Sequence, residues 1–448
     1  MLCGSNSAQT PQKKLTFDQD VLPVLRDKCL GCHNADKVKG GLDASTFAKL
    51  MEGGSSGEVI KPGDSESSRL YRLVSHSDEP KMPPNSPQIS KESLTLIKSW
   101  IDQGALENAG SKAVAVEKKA EIAKAVTTAR PAVAPMPSAE FPRVPIVSAA
   151  RSNAVTALAA SPWAPLVAVA APKSVALYNT DTLQLVGVLP FAAGQINVLH
   201  FTRSGEALLA AGGRGGHSGK AILYEIKSGK ILAEVGDETD AITAADITAD
   251  QSLVAVGGPG RVVRVYNVAD NQKVREIKKH TEWITAIEFS PDGVLLATGD
   301  RNGGLQVWET QTGREFYSLP GHKAAITDVS WRDDGNLLAS VSEDGSLKFW
   351  EMEQGRNTRS VPVSGGAQAV KFGHDNRLVI TGRDRKVRLL DANGGNVREF
   401  AGLNDMGMKV AVSHDGGRVL AGDWTGTVYV WDVKDGKLAG KLTTNPNK

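Results

Sequence analysis

From about residue 141 to 445 the chain repeats itself, and this periodicity constrains its fold more than any other feature. Ile326 to Trp331, Leu337 to Ser340 and Leu347 to Trp350 are short alternating runs, separated by the turn residues Asp333-Asp334-Gly335 and Glu343-Asp344-Gly345. Equivalent runs are Leu295 to Thr298 with Val307-Trp308, Leu253 to Val256 with Val265-Tyr266, and Val419 to Gly422 with Val430-Trp431-Asp432. They recur at intervals of about 40 to 45 residues. One such unit cannot bury its apolar faces alone, so copies must stack. With weaker copies at 153–190, 191–236 and 364–400, the count is about seven four-stranded units.

The pattern resembles that of WD40 propellers. The resemblance implies an all-β propeller whose blades are fixed by buried hydrogen-bond sets: His322, Ser340, Asp344 and Trp350 in one blade, and His280, Thr298, Asn302 and Trp308 in another. Buried imidazole and indole N–H groups need partners, so these histidines read as structural rather than as catalytic groups or metal ligands. Two blades depart from the pattern, with Thr425 at the turn aspartate and Arg151 at the first blade's histidine. The loop Gly212 to Lys220 lacks phosphate-loop spacing and lies between strands. It reads as a turn, with Arg214 and His217 as candidate partner contacts.

The chemistry is concentrated at Cys29-Leu30-Gly31-Cys32-His33, which holds two of the three cysteines in 448 residues. Thiols at i and i+3 can add across two porphyrin vinyl groups while the next imidazole sits under the iron. A structural zinc site would need a second ligand pair, and no other cysteine pair exists downstream. A thioredoxin-like redox pair would need a βαβ context, which a short helix before the motif and a glycine-rich loop after it do not provide.

The segments around this motif read as a small all-α domain. Thr16 and Gln19 have capping-box spacing, and Phe17, Val21, Val24 and Leu25 form a short apolar face in which Pro23 should shorten or kink the helix. Ser90 is placed as the N-cap of a last helix carrying Leu94, Ile97, Trp100 and Ile101 on one side and closed by Gly104. Between them lie Lys39-Gly40-Gly41-Leu42, Gly53-Gly54-Ser55-Ser56-Gly57, Lys61-Pro62-Gly63, Ser67-Ser68-Arg69-Leu70, Lys81-Met82-Pro83-Pro84 and, inside the last helix, Trp100 to Ala105. In this order behind the cysteine motif they resemble planctomycete-type cytochrome c domains. The resemblance implies that Cys29 and Cys32 carry haem c, that His33 is the proximal iron ligand and that Met82 is the distal one. A thioether suits ferrous iron and raises its potential. His76, in a polar run, reads as solvated surface.

The domain organisation expected is a signal remnant at 1–10 containing Cys3, the cytochrome c domain at 11–107, an Ala/Lys/Pro-rich linker at 108–140 and the propeller at 141–445. Residues 111–128 could form an exposed helix, and 130–137 a stiff proline-rich spacer. Phe141 to Val147 competes with Lys437 to Leu442 to be the outermost strand of the last blade, with the N-terminal segment favoured as the closing strand. A net charge of +2 gives no electrostatic reason to expect nucleic acid, and no apolar run is long enough to span a bilayer. The function expected is an exported, periplasmic electron carrier with one covalent haem, whose propeller docks redox partner proteins. It is expected not to be an enzyme. The alternatives are an oxidoreductase of cytochrome cd1-like architecture, with a second haem in the propeller, and a haem-bearing interaction scaffold.

Overall fold

The computed structural model describes residues 14–446 apart from positions 56, 64, 66, 67, 85, 109–130, 148–151 and 401. The signal remnant with Cys3, the helix expected at 111–128 and Arg151 lie outside the described residues. Two compact units divide at Lys124 and Ala125.

In the first unit a π-helical turn, Phe17–Val21, runs into α1, Leu22–Lys28. Pro23 stands in the first turn of α1, directly after the π turn, and has no N–H to donate back into that turn. Thr16 caps as expected by accepting from the Gln19 amide, but the reciprocal bond to its own N–H comes from Asp20 at 2.9 Å, because the wider π turn brings that residue round. Three further helices follow: α2, Phe47–Glu52; α3, Arg69–Val74; and α4, Lys91–Asp102, capped by Ser90. The ends of the unit meet where Phe17 packs on Trp100, ring centroids 6.1 Å apart, and both Phe17 N–H and Trp100 Nε1–H donate to the Leu106 carbonyl. Between α1 and α3 the glycine motifs lie against each other. The Ser55 amide donates to Gly40 O at 2.8 Å, and a Cβ on Gly41 would run into Ser55.

The second unit is a propeller of seven blades among the described residues, each a four-stranded antiparallel sheet built from consecutive strands. The innermost strands are Leu158–Ala160, Gln195–Phe201, Ala244–Ile247, Ile284–Phe289, Ile326–Trp331, Ala367–Phe372 and Gly407–Val412, for blades 1 to 7. Adjacent blades are stitched at a fixed register. The hydroxyls of Thr156, Thr243, Thr285 and Thr327 each donate to the carbonyl that opens the next blade, on Ile196, Ile284, Ile326 and Ala367. Asn197 does the same to Ile242. The hairpin at Gly212 to Lys220 belongs to blade 2, and its Gly216 N–H is held by Asp240 at 2.8 Å.

The ring closes differently from the sequence expectation. Leu438–Thr443 pairs with Thr427–Asp432 and is itself the outermost strand of blade 7. Residues 141–147 form no strand, because Pro142 and Pro145 lack the N–H groups a ladder needs. Instead Phe141 is buried at the outer boundary of blades 1 and 2, over Gly187 and Gly229, while Val188 N–H donates to Pro142 O and Ser138 N–H to Lys227 O. Residues 131–140, assigned from sequence to a linker, thus lead into a strap on the propeller, with Met136 against the same core. Blades 7 and 1 join through Val155 N–H to Asp423 O, Thr444 Oγ1 to Asn153 O and Tyr178 Oη to Thr443 O, over a shared core that includes Val155, Val169, Leu420 and Val430.

Candidate functional site

Helix α1 ends at the cysteine motif, which closes into a turn: Cys32 and His33 N–H both donate to Cys29 O, at 3.1 and 3.0 Å. The His33 backbone is then pinned on its other side by Ala44 N–H to His33 O. Both thiols are half-buried and free. Burial pushes the Cys29 thiol up to about 11, so it is a neutral group in apolar surroundings, unlike the acidic thiol of a redox dithiol motif. Among the described residues no group of three or more Cys, His, Asp or Glu side chains stands together as a zinc set would require.

His33 is the chemically unsatisfied member of the turn. Its Nδ1 atom is shut away from solvent with no hydrogen-bond partner in the structure. Leaving a buried polar atom unpaired costs about 1–3 kcal/mol. The two thiols, the imidazole that follows them and the apolar wall that Cys29 packs against form a donor set that fits a covalently held prosthetic group, with Nε2 of His33 the nitrogen left to ligate it. The wall is the core of the unit, which includes Phe17, Leu25, Leu50, Ile97 and Trp100. Cys29, Leu30, Leu42 and Met82 all pack against it.

Met82 is presented by the segment after α3. Its N–H donates to Leu73 O at 3.0 Å, and its carbonyl is held by His76 Nε2 at 3.1 Å. His76 is therefore not solvated surface. It is half-buried, takes a positive φ of 58°, and ties the Met82 backbone to the end of α3. The sequence signal for this role was proximity alone, six residues from the methionine, and the polar neighbours masked it.

In the propeller, the buried sets have the expected form with one substitution. His322 bonds Asp344 at 3.0 Å and Ser340 at 2.8 Å, and Trp350 Nε1 donates to the same Ser340 hydroxyl. In blade 4, His280 bonds Thr298 at 2.7 Å, but its carboxylate partner is Asp300 at 2.8 Å, not Asn302. Asp300 Oδ1 also accepts from the Asn302 and Gly304 amides, so one carboxylate organises both turn and imidazole. Asp423 plays the turn-organising part in blade 7, accepting from Thr425 Oγ1 at 2.6 Å. Burial holds His280 and His322 below the ordinary imidazole range, although their carboxylates pull the other way.

Comparison with known proteins agrees with this division. Residues 29–86 match the planctomycete cytochrome C family, and residues 271–309, 313–351 and 408–432 match the WD domain, G-beta repeat family. A stretch of 86 residues is 30% identical to autophagy-related protein 16 of Arabidopsis thaliana, covering 19% of this chain and 17% of that protein. The molecule thus joins a cytochrome c-like segment of the planctomycete kind to a seven-bladed WD40 propeller, a fold suited to protein interaction. Among the described residues no helix is long and apolar enough to cross a membrane.

Proposed function

We propose that this protein is an exported c-type cytochrome that moves single electrons between protein partners docked on its propeller. The observation that carries the reading is the pair of free, half-buried thiols directly followed by His33, at the start of the segment that matches the planctomycete cytochrome C family, with Met82 packed against the same core as Cys29. Cys29 and Cys32 would hold haem c through thioethers, and His33 and Met82 would be its iron ligands. When bound, the haem supplies a reversible one-electron ferric/ferrous couple. The chain's own residues do the rest. The turn at Cys29 fixes the orientation of His33, His76 fixes the backbone of Met82, and the apolar core excludes water, which limits solvent reorganisation around a changing charge. The extracytoplasmic setting follows from covalent haem attachment, and the domain limits that go with this reading are 11–107 and 141–445.

The deciding experiment is expression with a haem-attachment system, followed by a haem stain of the denatured protein and iron analysis. One haem per chain that survives denaturation supports the reading. Haem released completely on denaturation, or zinc in its place, overturns it. A second chromophore in the propeller would favour the cytochrome cd1-like alternative.

A further inference from the structure

The axial channel of the propeller holds a polar cavity of about 220 Å³ that the electron-transfer reading does not use. Its walls include one repeated position on the innermost strands, where blades 2, 4 and 6 place His200, Glu288 and Lys371; the same position in blades 3 and 5 holds Asp246 and Ser330. The charges pair across blades: His200 Nδ1 lies 2.9 Å from Asp246, and Lys371 Nζ lies 2.7 Å from Glu288, two blades away. Lys371 is deep in the protein, yet 40% of its side-chain surface is accessible, which a cavity able to admit water explains.

One end of this cavity is crossed by side chains from the turns that follow the innermost strands. The second residue of that turn is Arg203 in blade 2, Asp333 in blade 5 and His374 in blade 6. Asp333 accepts from Arg203 Nη1 at 3.2 Å and pairs with His374 Nδ1 at 2.7 Å. The His374 ring stacks on Trp163 of blade 1 at 4.8 Å, and Trp163 Nε1 donates to Arg203 O at 2.7 Å. Blades 1 and 2 are thereby tied to blades 5 and 6 across the axis. Arg203, Asp333 and His374 also line a second cavity of about 610 Å³, whose other walls are surface turns of blades 3 and 4. Burial alone would raise the Asp333 carboxyl, but His374 and Arg203 hold it down to about 2, so the clasp keeps its anion at any ordinary pH.

We infer that Trp163, Arg203, Asp333 and His374 form a gate that controls the entry of water and small polar solutes from the outer cavity into the charged axial one. Three side chains at 31–40% exposure separate the two spaces, and no backbone needs to move for them to part. Asp333 is the keystone, since its carboxylate bonds the side chains of both Arg203 and His374.

Hydrogen exchange resolved by residue tests this in the full chain. The amide of Val370 donates inward to Asp328, which lines the cavity, and those of Phe289 and Phe372 donate to Asp246, paired with the lining His200, and to Ser330, flanked by the lining Val329 and Trp331, so their exchange depends on water reaching this layer. The amides of Glu288 and Lys371 alternate with them and face the second strand of their blades. Asp333→Ala should speed exchange at the inward amides at least tenfold and leave Glu288 and Lys371 unchanged. His374→Gln, which keeps a donor toward Asp333 but removes the ring stacked on Trp163, should give a smaller rise with the same selectivity. Inward amides that do not respond in either variant, or a rise shared equally with Glu288 and Lys371, would mean that the cluster only braces the ring.

Discussion

Buried histidines are used in opposite ways in the two units. In the propeller, His280 and His322 have both ring nitrogens engaged, one by a hydroxyl and one by a carboxylate, and the same hydroxyl serves a tryptophan indole. Such an imidazole is finished: it rigidifies a hairpin and has nothing left to offer a ligand. In the N-terminal unit, His33 leaves a buried nitrogen unmatched within a small core. The difference teaches that burial alone does not identify a histidine's use: a ring with both nitrogens engaged is structural, whereas an unmatched nitrogen, which His414 on the axial cavity also has, leaves a ring open to a partner. It also implies different sources of stability. The propeller carries its own ladders and cores, each core shared between adjacent blades, while the first unit is of a size at which a prosthetic group commonly supplies part of the folding energy.

The most severe test of that contrast is replacement of Cys29 and Cys32 by serine. Calorimetry should lose or strongly lower the transition of the N-terminal unit and leave that of the propeller in place. Coupled loss of both would show that the units are not independent. A smaller effect is expected on the propeller side. Trp350→Ala removes a fully buried indole and should cost about 3–5 kcal/mol in denaturant titration of that unit. His322→Ala leaves the Ser340 hydroxyl and Asp344 short of a partner and should cost about 1–3 kcal/mol.

Acid should sharpen the comparison further, and the sign can be worked out. Burial lowers the folded-state pKa of His280 and His322, so as pH falls through the unfolded value of 6.5 the unfolded chain takes up protons that the fold refuses, and stability declines. Asp344 is held down to about 2: burial opposes this, but Ser346, the Lys323 amide and His322 outweigh it. Its contribution is present above the unfolded value of 3.8 and is lost as pH falls toward 2. Unfolding midpoints of the propeller should therefore drop in two steps, the first of which disappears in the double variant His280→Gln, His322→Gln.

The smallest shifts concern the potential of the haem-loaded protein. Met82→Ala should lower it by more than about 59 mV, the equivalent of about 1.4 kcal/mol in a one-electron couple, because thioether sulfur favours ferrous iron. His76→Ala removes the tie to the Met82 carbonyl and should lower it by less, with a weaker or more heterogeneous ligand signature in the absorption spectrum. Redox titration of the pair distinguishes a ligand from the group that positions it; a larger shift in His76→Ala would reverse the assignment.

Seven blades were legible in the sequence because short alternating strands and Asp-Gly turns state their own register, copy after copy. What escaped were contacts between copies. Asp300 displaced Asn302 because two acidic or amide residues in one turn can each reach the imidazole, and spacing does not choose between them. Phe141 to Val147 has the apolar alternation of a strand, but two prolines deny it a ladder, and a pair of glycines on blades 1 and 2 offered its ring a pocket that no local pattern announces. The clasp at Asp333 joins residues 130 and 41 positions away in sequence, across an axis that exists only once the ring is closed. In the N-terminal unit, the five-residue cysteine motif was explicit, while His76 was hidden because its partner is a backbone carbonyl, which every residue has.

The Phe141 strap has a mechanical consequence. Among the described residues the seam between blades 7 and 1 is held by packing and a few hydrogen bonds, with no strand shared across it, and such a junction peels one bond at a time under tension. Chain entering from the N-terminal side meets the bonds at Ser138 and Pro142 and the buried Phe141 ring before it reaches Val155 and the seam. A pull transmitted along the chain from the first unit is therefore borne by an aromatic anchor set into blades 1 and 2. Load is spread over an interface inside the ring, and the weakest joint is spared.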